Sequence, residues 1–156
     1  MQHYRDSFIV NAPLERVFSY YTDIHSLQKM TPPMMGMRIV KAETPLRRGA
    51  LIQFKLRPRG IPFDVKWVSR IVEFEENRVF ADRQLKGPFD HWVHRHEFRA
   101  LDDGRTEITD TIEAGTPLGF LGVLLEGILL GQGIQTLFDH RRHVVRDAFA
   151  HSKASS

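Results

Sequence analysis

The chain has 156 residues, of which 42% are hydrophobic and 26% are charged, and these proportions are typical of a folded globular domain rather than of a disordered segment. Its 22 Lys and Arg residues exceed its 19 Asp and Glu residues by a formal net charge of +3, and this small, scattered excess does not indicate a nucleic-acid-binding protein. The absence of cysteine excludes disulfides, thiol nucleophiles and cysteine-based zinc sites.

The two ends of the chain give simple expectations. The N-terminal segment MQHYRDSF is charged and lacks the apolar stretch of a secretory signal, so we expect a cytoplasmic protein. No internal repeat or linker is evident in the sequence. We therefore predict one domain over residues 1–150 and a frayed tail over 151–156.

The first part of the chain combines one strand with two short helices. Residues 3–10 alternate in polarity and predict a strand. Asn11 and Pro13 then favour a helix start, because Asn caps helix ends and Pro is tolerated in a first turn. A second short helix is predicted over 24–29, and the Thr-Pro-Pro sequence that follows it prevents its continuation.

From residue 37 onward the polarity alternates with a period of two, which is typical of strands. Short turns rich in glycine, proline and acidic residues separate consecutive segments. Such turns predict antiparallel hairpins rather than crossover connections. Six further strands are predicted, over residues 37–43, 49–57, 61–74, 78–85, 89–100 and 105–114.

A helical period returns after Pro117 and continues to about Ala150. The stretch 117–133, PLGFLGVLLEGILLGQG, is shorter than the ~20 apolar residues of a membrane span, and it carries Glu126 in its middle. We expect it to be buried against the sheet, with a membrane-surface helix as the alternative. The basic cluster over 140–146 is predicted to lie on the solvated face of the same helix.

This order of elements predicts an α+β domain. Seven antiparallel strands leave one face of the sheet in need of cover, and the apolar last helix is the available partner. A curved sheet that wraps a long C-terminal helix leaves a space between the two layers. Such a space is a natural site for a small molecule.

Several segments also carry a family resemblance. These are NAPLERVFSYYTDIHSLQKMTP, FADRQLKGPFDHWVHRHEF, TEITDTIEAGTPLGFLG and LFDHRR. Together with the element order they resemble the START/Bet v 1-like superfamily, also grouped as SRPBCC or polyketide cyclase/dehydrase-like proteins, and in particular a bacterial subgroup of ligand-binding SRPBCC-domain proteins of unknown function. The resemblance implies a helix-grip fold with a hydrophobic ligand cavity. Members bind lipids, sterols, polyketides, plant hormones or aromatic compounds, and some catalyse cyclisation or dehydration.

Residue parity predicts which side chains face that cavity, because side chains alternate across a strand. In 89–100 the odd-numbered residues carry more full charges, so the even-numbered residues are predicted to face inward. The predicted ligand-binding wall combines aromatic residues with a polar patch. It consists of Phe54, Trp67, Phe80, Asp82, Gln84, Trp92, His94, His96, Phe98 and Asp110, with Leu121, Leu124, Leu125 and Ile128 of the last helix as a roof.

The turns predict which of these residues oppose one another. A tight turn at 102–104 places Phe98 opposite Ile108 and His96 opposite Asp110. Opposed Cβ atoms are ~5 Å apart, so an inward contact between His96 and Asp110 is feasible. The turn at 87–88 similarly predicts two opposed pairs, Asp82 with Trp92 and Phe80 with His94.

The polar patch has several interpretations that the sequence leaves open. It can be a structural pair that satisfies its own hydrogen bonds, or it can orient a bound ligand. If the protein is an enzyme, His94, His96 and Asp110 are the candidate catalytic residues, with a histidine as acid or base. A metal bound by the same three residues is a further reading, which His91 cannot join because it points the other way; the family does not ordinarily use a metal here, and no metal or cofactor is predicted.

We therefore hypothesise a binding or carrier protein for a small hydrophobic molecule, lipid-like or aromatic. The alternative is a cyclase/dehydratase-type enzyme that uses a His/Asp acid–base pair in the same cavity. A third interpretation is an interaction module that presents the methionine-rich loop over 29–37 and the basic helix to a protein or membrane. We expect no nucleic-acid partner and no integral membrane segment, and leave a homodimer open.

Overall fold

The computed structural model describes residues 1–119, 122–123, 126 and 130–150. A first strand, β1 (Gln2–Val10), precedes helices α1 (Leu14–Thr22) and α2 (Ile24–Met30) and a short 3-10 turn (Pro33–Met35). Six strands follow, namely β2 (Arg38–Ala42), β3 (Leu51–Leu56), β4 (Val65–Glu75), β5 (Val79–Lys86), β6 (His91–Ala100) and β7 (Thr106–Gly115). Helix α3 (Gln132–Phe149) ends the described chain.

The seven strands form one antiparallel sheet in the order β1-β7-β6-β5-β4-β3-β2. Strands β2 to β7 pair with their neighbours in sequence, as short hairpin turns require. The first strand pairs with the last, so that the helices after β1 cross one face of the sheet. The predicted α+β helix-grip architecture is confirmed.

Local sequence determines where the second short helix begins and ends. Asp23 lies in extended conformation before α2, and its side chain accepts a hydrogen bond from the backbone N–H of His25 (2.9 Å). This is the usual role of Asp at a helix N-cap. Helix α2 ends at Met30, and Thr31 is extended, as expected for a residue that precedes Pro32.

The helix predicted over 117–150 is interrupted at Gly131, since Gly122, Val123 and Glu126 are also helical. Helix α3 begins at Gln132, because Gly131 adopts φ 71 and ψ −106 and cannot continue a helix. The predicted roof residues Leu121, Leu124, Leu125 and Ile128 lie outside the described residues, and so do residues 151–156. Glu126 is exposed, and its carboxylate accepts a hydrogen bond from Thr116 (3.2 Å). None of the described helices has the length and apolarity that a membrane crossing needs.

Two aromatic clusters lie on the covered face of the sheet. The phenylalanine cluster, formed by Phe18, Phe74, Phe80 and Phe98, has ring centroids 5.1–6.0 Å apart in its contacts. The tryptophan cluster, formed by Phe54, Trp67, Phe89 and Trp92, has centroids 4.8–5.8 Å apart. Helix α3 contributes Phe149 and Val145 to the first region and Ile134 and Phe138 to the second.

Candidate ligand-binding site

A cavity of about 150 Å³ separates the sheet from helices α2 and α3. Roughly this volume accommodates one aromatic ring, and it is below the roughly 300–1,000 Å³ of sites for larger ligands. Strands β3 to β6 form its floor and α3 closes one side. The α2 segment contributes apolar side chains to the lining, namely Ile24, Leu27 and Met30, followed by Met35 and Met37.

One end of the cavity is aromatic. All four rings of the tryptophan cluster line it. Trp67 is the central ring, stacked on Phe54 (5.6 Å, 18° between planes) and perpendicular to Trp92 (5.3 Å, 89°). Ile134 and Leu137 of α3 complete this end. The arrangement presents ring faces and edges, the two surfaces on which another aromatic ring packs favourably.

Another part of the lining, here called the polar end, is formed by residues from two strands and two helices. Asp82, His94 and His96 line it together with Tyr21 and Arg141. His94 and His96 both point inward because they are two residues apart on β6. Their rings lie 4.0 Å apart between centroids, and the ring of His96 stacks on Phe80 at 4.5 Å. The even-numbered face of β6 is therefore the inner face, as predicted from residue parity.

The strand register confirms one predicted hairpin and corrects the other. Phe98 pairs with Ile108 and His96 with Asp110, as the turn at 102–104 predicts. In the other hairpin, Asp82 opposes His94 rather than Trp92, and Phe80 opposes His96 rather than His94. The reason is a connection over 87–90 rather than a two-residue turn. The shift of two residues leaves the faces unchanged, because the side-chain period of a strand is also two.

Beneath the polar end lies Asp110, a carboxylate that is only 1% exposed. Its Oδ1 atom is 2.5 Å from Nδ1 of His96 and 3.3 Å from both Nε2 of His94 and Nη1 of Arg141. Arg141 can only donate hydrogen bonds, and its Nη1 lies 3.0 Å from Nε2 of His94. The four groups form one buried network in which each charge has a partner, as burial requires.

Burial and this network set the protonation of the histidine and the carboxylate. Burial, assisted by the neighbouring His96, lowers the pKa of His94 to about 3, so this ring is neutral at physiological pH. Burial alone would raise the pKa of Asp110, but the adjacent His96 and Arg141 outweigh it and hold the pKa well below its usual range. Asp110 is therefore the fixed negative charge at the base of the site.

The Asp82 carboxylate, unlike that of Asp110, is held by a neutral hydroxyl group. Its Oδ2 accepts a hydrogen bond from the Ser69 hydroxyl (2.8 Å), which itself accepts one from the Trp67 indole N–H (2.9 Å). Burial raises the pKa of Asp82, against the opposing effects of His96 and Ser69. No Lys or Arg of the described residues forms an ion pair with this carboxylate. Asp82 thus offers the cavity a carboxyl group that is not neutralised by direct pairing.

Tyr21 adds a further polar group. Its ring packs edge-on against Phe98 (5.1 Å) and His96 (5.7 Å), and burial raises its pKa well above the ordinary value. Its hydroxyl is buried and has no hydrogen-bond partner among the described residues. Buried hydroxyls are normally satisfied, so Tyr21 has unused hydrogen-bonding capacity at the cavity wall.

The predicted site residues fall into four groups. Those that line the cavity are Phe54, Trp67, Phe80, Asp82, Trp92, His94 and His96. Asp110 lies behind His94 and His96. Phe98 packs in the phenylalanine cluster, and the amide of Gln84 bonds to the backbone of Phe89, donating at 2.6 Å and accepting at 3.3 Å, so neither contributes to the lining. Leu125 lies outside the described residues.

Sequence reasoning missed two polar residues of the site, Tyr21 and Arg141. The cluster over 140–146 was predicted to be solvated, yet Arg141 is 3% exposed and contacts Asp110. Its neighbours Arg142 and Arg146 are not buried in this way. Helical spacing contains the signal, since Ile134, Phe138, Arg141 and Val145 recur on one stripe of α3. A charged residue on that stripe indicates a buried partner.

The methionine-rich loop lies beside the cavity. Met35 and Met37 line it, whereas Met34 is 45% exposed. The backbone of the loop is held by hydrogen bonds from Arg57 N to the Met35 carbonyl (3.0 Å) and from Arg59 N to the Met34 carbonyl (2.8 Å). Flexible thioether side chains adapt readily to a bound molecule, and in this loop they reach the cavity from the side of α2.

Comparisons with known proteins agree with this architecture. The profile of the family described as polyketide cyclase / dehydrase and lipid transport matches residues 1–137. No curated protein sequence matches the chain.

Among solved structures, the chain is similar to the Zhui aromatase/cyclase from Streptomyces sp. R1128, with a TM-score of 0.72 and 18% identity over 96% of this chain and 94% of that one. It is also similar to a START superfamily protein from Mycobacterium smegmatis, with a TM-score of 0.67 and 14% identity over 96% and 97% of the two chains. At these identities the likeness concerns the fold alone. The profile match over most of the chain shows that this protein belongs to the polyketide cyclase/dehydrase and lipid transport family.

Proposed function

We propose that this protein binds a small hydrophobic molecule, built around one aromatic ring and bearing an oxygen function, in the cavity between its sheet and helices. The observation that supports this most strongly is that the cavity lining combines a cluster of four aromatic rings with a group of polar side chains. Sites of this kind bind the apolar body of a ligand by burial and fix its orientation with a few polar groups.

The size of the cavity defines the ligand class. A volume of about 150 Å³ admits a substituted benzene ring but not a long acyl chain. Burial of roughly 150 Å² of ring surface at about 25 cal/mol per Å² gives about 4 kcal/mol, or a Kd of about 1 mM. One hydrogen bond to a polar or charged group adds about 1–3 kcal/mol. We therefore expect a Kd of roughly 10–100 µM for a phenol-sized ligand.

Native mass spectrometry of freshly purified protein tests the proposal. With p-cresol added above the expected Kd, the parent chain should show the mass of a one-to-one complex, which is lost on denaturation. Gly133 of α3 lines the cavity, so Gly133→Leu should fill the space and abolish the complex with p-cresol.

The matched control is Thr136→Leu, an added leucine at an exposed position of the same helix, which should bind like the parent. A parent chain that forms no complex with p-cresol would contradict the proposal.

A second candidate function is acid–base catalysis, and one contact favours it. Nδ1 of His96 lies 2.5 Å from Asp110 Oδ1, so in the neutral ring the proton is on Nδ1 and the lone pair on Nε2. Nε2 has no hydrogen-bond partner among the described residues. A histidine oriented in this way by a carboxylate can remove a proton from a bound substrate. The pair would then serve cyclisation or dehydration chemistry.

Hydrogen–deuterium exchange at the methyl group of acetophenone, a ketone of suitable size, tests this second candidate. In heavy water the parent should accelerate the exchange observed by proton NMR. His96→Gln should lose the acceleration in protein that circular dichroism shows to be folded and that still binds acetophenone. His91→Gln, on the outer face of the same strand, is the control and should behave like the parent. Exchange at the uncatalysed rate in the parent would exclude this function for such ketones.

A further inference from the structure

Three metal-ligating side chains converge at the polar end of the cavity. Asp82, His94 and His96 each place one ligand atom within 4.8 Å of the other two. His94 and His96 share the inner face of β6, and Asp82 stands opposite His94 on β5. The cluster differs from the set suggested by the sequence alone, because Asp82 rather than Asp110 is the third member.

The hydrogen bonds behind the cluster orient the histidines as metal ligands. Metal-bound histidines commonly donate their second ring N–H to a carboxylate, which fixes the ring and its tautomer. Asp110 occupies this position, 2.5 Å from Nδ1 of His96 and 3.3 Å from Nε2 of His94. The nitrogens left without a partner among the described residues are Nε2 of His96 and Nδ1 of His94. A metal on Nδ1 would place the His94 proton on Nε2, where it would bond to Asp110. The Nη1 of Arg141, which lies 3.0 Å from Nε2 of His94 and can only donate, would then lose that acceptor and keep its bond to Asp110 (3.3 Å).

The charges around the cluster are compatible with a cation. The Arg141 guanidinium is paired with Asp110 and would retain that partner when His94 donates to the same oxygen. Asp82 has no ion-pair partner among the described residues, and its hydrogen bond from Ser69 occupies one oxygen. The second oxygen is free to coordinate a metal. With one metal ion, two carboxylates and one guanidinium, the net charge of the site is about +1.

We propose that Asp82, His94 and His96 form a binding site for one divalent first-row transition metal ion, with its open coordination positions directed at the cavity. Two imidazoles and a carboxylate on one side of the metal are a ligand set suited to Zn²⁺, Fe²⁺ or Co²⁺. The inference uses the same cavity as the proposed binding function, and there the metal would meet the oxygen of a bound ligand. A metal on Nε2 of His96 would occupy the nitrogen that acid–base catalysis needs.

Titration of chelator-treated protein with Co²⁺ tests the site, because the visible bands of Co²⁺ report ligand type and geometry. We expect one Co²⁺ per chain, displaced by Zn²⁺, with a higher temperature of thermal unfolding. Asp82→Asn and His96→Gln should each weaken binding by at least about tenfold. Circular dichroism and thermal unfolding without metal show whether each variant is folded. The Co²⁺ affinity of one folded variant is enough to test the proposal.

His91→Gln is the matched control. His91 lies on the outer face of β6, 3.5 Å from Glu113, and this variant should bind Co²⁺ like the parent. A parent chain that binds no Co²⁺, or binding that survives in both folded cluster variants, would overturn the proposal. The titration contains no organic ligand, and the p-cresol assay is run on chelator-treated protein. Failure of the metal site therefore leaves the test of small-molecule binding unaffected.

Discussion

The two aromatic clusters lie on the same face of one sheet, yet they are packed differently. In the phenylalanine cluster, Phe18 is surrounded by three other rings, and Phe98 also contacts Tyr21. Of its members only Phe80 reaches the cavity. In the tryptophan cluster, all four rings border the cavity. The rings of the first cluster pack mainly against one another, and Phe18 and Phe74 also border a separate open cleft, whereas the second cluster is built around the cavity.

Because of this difference, we expect the phenylalanine cluster to contribute mainly to folding stability and the tryptophan cluster mainly to ligand binding. Close-packed rings lose many contacts when one is truncated. Rings that border a cavity already lack neighbours on one side, so their removal costs less folding free energy but changes the surface offered to a ligand. A substitution in the phenylalanine cluster should therefore lower the free energy of unfolding more than the ligand affinity. A substitution in the tryptophan cluster should do the reverse.

The largest effect is expected from Phe98→Ala in the phenylalanine cluster. Phe98 is buried and contacts Phe18, Phe80 and Tyr21. Its truncation should lower the free energy of unfolding by about 4 kcal/mol, measured by urea denaturation. Where the variant is folded, its affinity for p-cresol should stay close to that of the parent. A loss below about 1 kcal/mol would show that this cluster is not close-packed.

Arg141→Met should have the next largest effect, because it leaves Asp110 without its cationic partner. Removal of one member of a buried charge pair costs about 3–5 kcal/mol, and we expect about 3 kcal/mol here since His96 still donates to Asp110. Urea denaturation measures the change. Arg146→Met, at an exposed position of the same helix, is the control and should cost less than about 1 kcal/mol. Equal losses of unfolding free energy in the two variants would show that Arg141 does not stabilise a buried network.

Trp92→Leu tests the role of the tryptophan cluster. The Trp92 ring is half-buried and borders the cavity with Trp67 and Phe89. Loss of its aromatic contacts should cost about 1–2 kcal/mol of stability while it weakens p-cresol binding by about tenfold. Trp67 remains as the fluorescent reporter of binding. A variant with unchanged affinity and a stability loss as large as that of Phe98→Ala would erase the distinction between the clusters.

Gln84→Ala should have the smallest effect. Its amide makes two hydrogen bonds to the backbone of Phe89 and thereby holds the connection over 87–90. We expect a loss of about 1 kcal/mol, measured by urea denaturation, with a modest fall in p-cresol affinity because Phe89 lines the cavity. A neutral result would indicate that the connection keeps its shape without this side chain.

The hairpins show which parts of the site can be predicted from sequence. The turn at 102–104 is tight, so counting back from it pairs His96 with Asp110 correctly. The connection over 87–90 depends on the side chain of Gln84, and no local rule reveals that contact. Asp82 was therefore placed two residues out of register, although on the correct face. Strand parity is robust to such errors, whereas register is not.

Helix α3 shows a second limit. Its amphipathic pattern predicts a helix, and the charge of residues 140–146 predicts exposure to solvent. The second prediction is wrong for Arg141, which is buried. The partner that allows its burial, Asp110, is 31 residues away in sequence. Only the folded sheet brings the two together. The start of α3 at Gln132 depends on the backbone conformation of Gly131, which composition alone does not predict.

In the proposed function, the cavity binds an aromatic ring and its polar end recognises an oxygen on that ring. The two tryptophans of the chain both line the cavity, so intrinsic fluorescence reports directly on it. The most direct measurement is the fluorescence titration of the parent chain with p-cresol and with p-xylene, which differ by a hydroxyl in place of a methyl group. We expect saturable binding of both compounds, with p-cresol bound at least about tenfold more tightly. Absence of saturable binding, or equal affinity for the two compounds, would contradict it.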